Sequence, residues 1–86
     1  MITVELFGVP RLRAGVGLVS LDAVDVGSAL SGLGRACPGL EGTVVRSGRV
    51  DPAYRLSLNG DRFVTDPTTP LADGDALLLL SADVGG

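Results

Sequence analysis

Few side chains in this sequence can do chemistry. There is no histidine, and Cys37 is the single cysteine. The sequence therefore offers no Ser-His or Cys-His pair, no multi-thiolate ligand set and no glycine-rich loop opening a helix to cradle phosphate. Asp73 and Asp75 stand two apart, but within Leu71-Ala72-Asp73-Gly74-Asp75 a tight turn held by Asx hydrogen bonds accounts for both. Cys37 follows an apolar stretch and reads as a small core filler. What remains is Ser81-Ala82-Asp83-Val84-Gly85-Gly86, which follows four consecutive leucines. Glycine has no Cβ, so a Gly-Gly end threads a slot too narrow for any other residue. A carboxylate on Gly86 is unhindered and open to adenylation, attack or coupling. Glycine is 13 of 86 residues, so the tail by itself decides little. The elements that would carry it decide more.

Eighty-six residues make one small domain with a single core. At 45% hydrophobic the chain is well above a disordered composition, and with two Phe and one Tyr its core must come from Val, Leu, Ile and Ala. The net charge is −3, and all seven basic residues are arginine, scattered at 11, 13, 35, 46, 49, 55 and 62. A phosphate-binding face needs clustered cations, so nucleic acid is not expected as a partner. No apolar run approaches the ~20 residues of a membrane span and no apolar leader precedes Ile2, so a cytoplasmic, reduced location is expected.

Along the chain, Ile2-Thr3-Val4-Glu5-Leu6-Phe7 alternates as a half-buried strand, with Ile2, Val4 and Leu6 inward and Phe7 outward. Gly8 and Pro10 break it, and Arg11 to Gly17 reads as loop or turn. Leu18–Leu21 is the antiparallel return. Asp25 caps a helix whose apolar stripe is Val26, Ala29, Leu30, Leu33 and Ala36 or Cys37, ended by Pro38-Gly39. Residues 40–53 give a weak signal, with a short strand at Thr43-Val44-Val45 as one reading. Tyr54–Leu58 is a strand, Asn59-Gly60 a strong hairpin turn, and Arg62-Phe63-Val64 a brief strand beyond it. Ala76–Leu80 is the last strand.

Successive strand residues face opposite sides, so Leu77 and Leu79 oppose Leu78 and Leu80. A strand apolar on both faces needs cover on both, and the one convincing helix covers one. Either residues 40–53 fold over the second face or a partner protein does, and the outward Phe7 favours the partner. Phe7, Phe63, Leu78 and Leu80 are thus the expected docking patch. The order of elements predicts an α+β, β-grasp domain over 1–80, a mixed sheet holding one main helix, with a flexible Gly-Gly tail over 81–86. The first and last strands would lie side by side at its centre.

At the level of residues, Leu6-Phe7-Gly8-Val9-Pro10-Arg11-Leu12, Ala14-Gly15, Asp25-Val26-Gly27, Pro38-Gly39-Leu40, Asn59-Gly60, Pro70-Leu71-Ala72-Asp73-Gly74-Asp75 and Gly85-Gly86 resemble the ubiquitin-like sulfur carriers. The small subunit of molybdopterin synthase is the member most resembled, and the thiazole-synthesis carrier is a relative. The resemblance spans nearly the whole chain, and the Pro-Leu-x-Asp-Gly-Asp turn and the tail are its most specific parts. It implies a carrier or cosubstrate rather than an enzyme, with no bound cofactor or metal. A ubiquitin-activating-type adenylyltransferase, using ATP, would couple Gly86 to AMP, and sulfur would replace AMP to leave a thiocarboxylate. An acceptor such as the large subunit of molybdopterin synthase would receive Val84-Gly85-Gly86 and take the sulfur. The sequence departs from the family before the glycines, where an aromatic, prolines and a Val-Ala or Val-Ser pair are usual but this chain has Leu80-Ser81-Ala82-Asp83-Val84. Pathways to thiamin, cysteine or a specialised sulfur metabolite therefore stay open beside molybdenum cofactor. So does a protein modifier that forms isopeptides.

Overall fold

The computed structural model describes residues 1–82. A five-stranded mixed sheet runs in the order β2-β1-β7-β5-β6, with β1 Ile2–Leu6, β2 Leu18–Leu21, β5 Tyr54–Leu58, β6 Arg62–Phe63 and β7 Ala76–Ser81. The alternating β1 pairs antiparallel to β2 and parallel to β7, and β5 pairs antiparallel to β7 and β6. The first and last strands are therefore neighbours and β7 is central, as the order of elements predicts.

The main helix, α2 (Val26–Ala36), starts where its sequence says it should. Asp25 accepts from the Ser28 N–H at 2.8 Å, and the Ser28 hydroxyl receives the Asp25 N–H at 3.3 Å, a reciprocal capping box. Such a cap is worth about 1 kcal/mol. Val26, Ala29, Leu30 and Leu33 point into the sheet, where Ile2, Val4, Leu6, Leu56, Leu58, Leu77 and Leu79 meet them. Helix propensity is weakened by three glycines, so this apolar seam is what holds α2 in place.

Two segments differ from expectation. Residues 9–14 form a short helix, α1 (Val9–Ala14), not a loop. Gly8 and Pro10, read as breakers, begin it: Gly8 is the N-cap and Pro10 occupies the first turn, where a missing N–H costs nothing. Gly15, read as loop, closes the end in the left-handed region with its N–H on the Arg11 carbonyl. Residues 45–50 form a hairpin of their own, β3 (Val45–Arg46) and β4 (Arg49–Val50). Leu40, Val44 and Val45 join the core beneath α2. Residues 40–53 thus thicken the helix layer and leave the other face of the sheet uncovered.

The last strand ends one residue later than expected. Ser81 pairs with Tyr54, and the Ala82 N–H donates to the Ala53 carbonyl at 2.8 Å. Both residues belong to the sheet margin rather than to the expected tail. Asp83, Val84, Gly85 and Gly86 lie outside the described residues.

Candidate functional site

The bare face of the sheet is set by register alone. Leu18 pairs with Glu5, Glu5 with Leu78, Leu78 with Ser57, and Ser57 with Phe63. Paired residues share a face, so these five make one row across all five strands. A second row starts at Phe7, whose N–H donates to the Leu79 carbonyl at 3.0 Å and so carries the β1–β7 ladder one residue further. Phe7 then stands beside Leu80, and Leu80 pairs with Arg55.

Four expected patch residues are thereby placed on one face. Phe7 is 44% exposed and Phe63 62%, while Leu78 and Leu80 are partly covered by their neighbours. Phe7 and Phe63 do not touch each other: three strand spacings separate them, roughly 15 Å. Phe63 stands at the sheet margin, where it also borders a cleft of about 340 Å³ over Val26, Leu30 and Leu56 on the helix side. Sequence reasoning missed Leu18, which is 61% exposed and extends the same row to the opposite edge. The signal was available, since a hairpin partner of the outward Glu5 must itself face outward. Val84, Gly85 and Gly86, the remaining expected site residues, lie outside the described residues.

The patch is apolar but not neutral. Glu5 and Arg55 stand within its two rows, and Ser57 is buried at its centre between Leu78 and Phe63. A partner covering the face would desolvate these groups along with the leucines and phenylalanines, and would have to supply complementary polar contacts.

At the opposite end of β7 a lock fixes where that strand begins. Asn59 and Gly60 both have positive φ, 55° and 67°, the geometry of a type I′ hairpin turn that Asn-Gly adopts best. The Ala76 N–H donates to Asn59 Oδ1 at 2.8 Å, and Asn59 Nδ2 donates to Asp75 Oδ1 at 3.0 Å. Asp75 Oδ2 receives the Ala72 N–H at 2.9 Å. The Ala72 N–H, and after it the Asn59 amide, hold the Asp75 carboxyl below the usual carboxylate range. Asp73 instead pairs with the Met1 ammonium. The two aspartates are turn residues, not a catalytic pair. Cys37 is a buried free thiol whose pKa burial raises, which leaves it a poor nucleophile.

One helix laid across a five-stranded mixed sheet, with parallel first and last strands at its middle, is the ubiquitin arrangement. Comparison with solved structures agrees. SAMP1 from Haloferax volcanii superposes with a TM-score of 0.83 at 29% identity, over 99% of this chain and 98% of that one. The chain is a ubiquitin-like β-grasp protein, and it resembles the ubiquitin-like sulfur carriers. A chain from the complex of subunits 1 and 2 of the molybdopterin-converting factor of Helicobacter pylori matches at 25% identity and TM-score 0.67, over 99% and 97%. The BexX/CysO complex of Amycolatopsis orientalis gives 21% and 0.82 over the full length of both chains, a likeness of fold. No protein-family model matches the chain, and no curated protein matches it by sequence. Among the described residues no helix is long and apolar enough to cross a membrane.

Proposed function

We propose that this protein is a sulfur carrier whose reactive group is the carboxylate of Gly86. The observation that carries the reading is the place of β7: the strand that leads into the Gly-Gly segment is central, and its outward leucines stand in the uncovered apolar face. A partner enzyme that docks on Phe7, Leu78, Leu80 and Phe63 holds the domain at the root of the tail.

The chemistry follows from the carboxylate. It is a poor electrophile until its oxygen attacks the α-phosphate of ATP on a ubiquitin-activating-type adenylyltransferase, releasing pyrophosphate and leaving an acyl-adenylate. Sulfide displaces AMP and leaves the thiocarboxylate directly. A persulfide displaces AMP through its terminal sulfur to give an acyl disulfide. A second thiol then cleaves the S–S bond, forming a new disulfide and releasing the thiocarboxylate, a good nucleophile at neutral pH. The chain is a cosubstrate in this scheme and binds no cofactor, the ATP being the activating enzyme's. Within it, molybdopterin synthesis is the leading pathway, with the large subunit of molybdopterin synthase as acceptor. The cytoplasm is the setting that supplies ATP and keeps Cys37 reduced.

A second reading, a modifier joined to target lysines through Gly86, is favoured by the 29% identity to a protein described as a small archaeal modifier. Two measurements separate them. Incubated with activating enzyme, ATP and a sulfur source, the carrier shows by intact mass one oxygen exchanged for sulfur, located on Gly86. A modifier is recovered from cell extract with Gly86 in an isopeptide bond to a lysine. Sulfur found on Cys37 instead would overturn a mechanism that runs through the Gly86 carboxylate.

A further inference from the structure

We infer that α1 is a second docking element, which seats on the rim of the adenylyltransferase active site that activates Gly86; this rests on the carrier reading. The helix leaves β1 just after Phe7 and packs against β1 and β7. Because β1 and β7 are parallel and in register from Thr3–Ala76 to Leu6–Leu79, α1 sits at the end of the sheet where β7 gives out at Ser81. From Ala82 to Gly86 is four residues, at most ~14 Å when fully extended. An active site that reaches Gly86 must therefore bring its rim within that distance of Ala82. Its rim lands on whatever flanks the exit, and α1 flanks it.

Two sides of α1 are already used. Pro10 is buried against the sheet. The Arg13 carbonyl lies so close to Gly39 that a Cβ there would meet it at 2.1 Å, so the Pro38-Gly39 turn closes a second side. What α1 presents outward is Leu12, 82% exposed and the barest large apolar side chain among the described residues, with Val9 one turn away on the same stripe. Gly8, Arg11, Leu12 and Gly15 line a shallow depression there. Arg11 and Arg13 flank the leucine, and neither is in an ion pair among the described residues. No acidic residue stands in the helix, so a chain of net charge −3 carries a local double positive charge at this spot. The surface fits a partner that offers an apolar socket edged by carboxylates.

The test uses the adenylyltransferase that thiocarboxylates the wild-type chain, with KM for the chain and kcat measured separately at two salt concentrations. Leu12→Ser should raise KM at least tenfold and change kcat less than twofold, with an unchanged melt because Leu12 contributes nothing to the core. Arg13→Gln should raise KM and flatten its salt dependence, as expected if Arg13 faces carboxylates. A KM for Leu12→Ser within twofold of wild type would overturn the inference while leaving the carrier reading intact. The same holds if Leu12→Ser blocks only delivery of sulfur to the acceptor, since the activating enzyme would then not rest on α1. A wild-type chain that is never thiocarboxylated removes the carrier reading, and this inference with it.

Discussion

Phe7 stands beside Leu80 because its N–H, bonded to the Leu79 carbonyl at 3.0 Å, extends the parallel ladder past the last residue of β1. One residue earlier, Leu6 is 1% exposed and faces α2. Two adjacent residues of similar apolarity therefore have opposite roles, and substitution separates them. Leu6→Ser should cost about 2–5 kcal/mol of stability, the range for emptying a packed core position. Phe7→Ser and Leu80→Ser should cost far less and weaken binding of a partner enzyme at least tenfold, about 1.4 kcal/mol. Thermal melts and a binding titration on the three variants check this. If Phe7→Ser melts as low as Leu6→Ser, Phe7 belongs to the core and the patch is not a docking site.

The hydrogen bonds on Asp75 carry a pH signature. Its carboxyl is held low in the folded chain by the Ala72 N–H and the Asn59 amide, so the folded state prefers the ionised form. The stability this brings is fully present above the ordinary carboxylate value, about 3.9, and is lost as pH falls through the lower folded value. Asp75→Asn should melt below wild type at pH 7, and the gap should narrow steadily from about pH 4 downward. Asp25 and Asp66 are also held low, each chiefly by a backbone N–H, but they are common to both chains and drop out of the difference. A gap that stays constant down to pH 2 would mean the turn does not depend on the charge of Asp75.

How legible this was in the sequence depended on the range of the signal. The strand periods of residues 2–7 and 54–58, the Asp25 cap and the Asn59-Gly60 turn are all local, and each lies within a residue or two of where the sequence puts it. The bare face was legible as well, because Leu77–Leu80 demands cover on two sides and one helix supplies one. The helix α1 was not, because Pro10 and Gly15 mean a break in general and a cap only when a helix lies between them. Leu18 escaped because its face is fixed by pairing with Glu5, a relation that a strand-by-strand reading does not use. Ser81 and Ala82 look like tail in the sequence because their partners, Tyr54 and Ala53, lie nearly thirty residues back in the chain.

The glycines of α2 and its exit are not equivalent. A Cβ on Gly32 would meet the Leu21 methyls at 3.8 Å and the end of the Arg35 side chain at 4.0 Å, ordinary van der Waals contact. Gly32→Ala should therefore stabilise the protein by about 0.5–1 kcal/mol, through helix propensity and a stiffer unfolded chain. At Gly39 the same Cβ would meet the Arg13 carbonyl at 2.1 Å, and backbone cannot swing aside as a side-chain end can. Gly39→Ala should destabilise by about 1–3 kcal/mol, the cost of overpacking. Urea unfolding of the two variants should give shifts of opposite sign.

The carrier chemistry predicts that stability and reactivity part company at Gly86. The described core is built from residues between Ile2 and Leu79, and the last described backbone hydrogen bond is that of Ala82. Deleting Gly86 should accordingly leave the melting temperature within about 2 °C of wild type, less than a 1 kcal/mol change would move a domain of this size. The same deletion should abolish ATP-dependent thiocarboxylation, because the carboxylate would then sit one residue short of the reactive position. Adding back a glycine should restore it, and replacing Gly86 with valine should not, if the tail must thread a slot that a side chain would block. A truncated chain that still exchanges oxygen for sulfur would show that the activating enzyme does not read the final glycine, and the proposed site would be wrong.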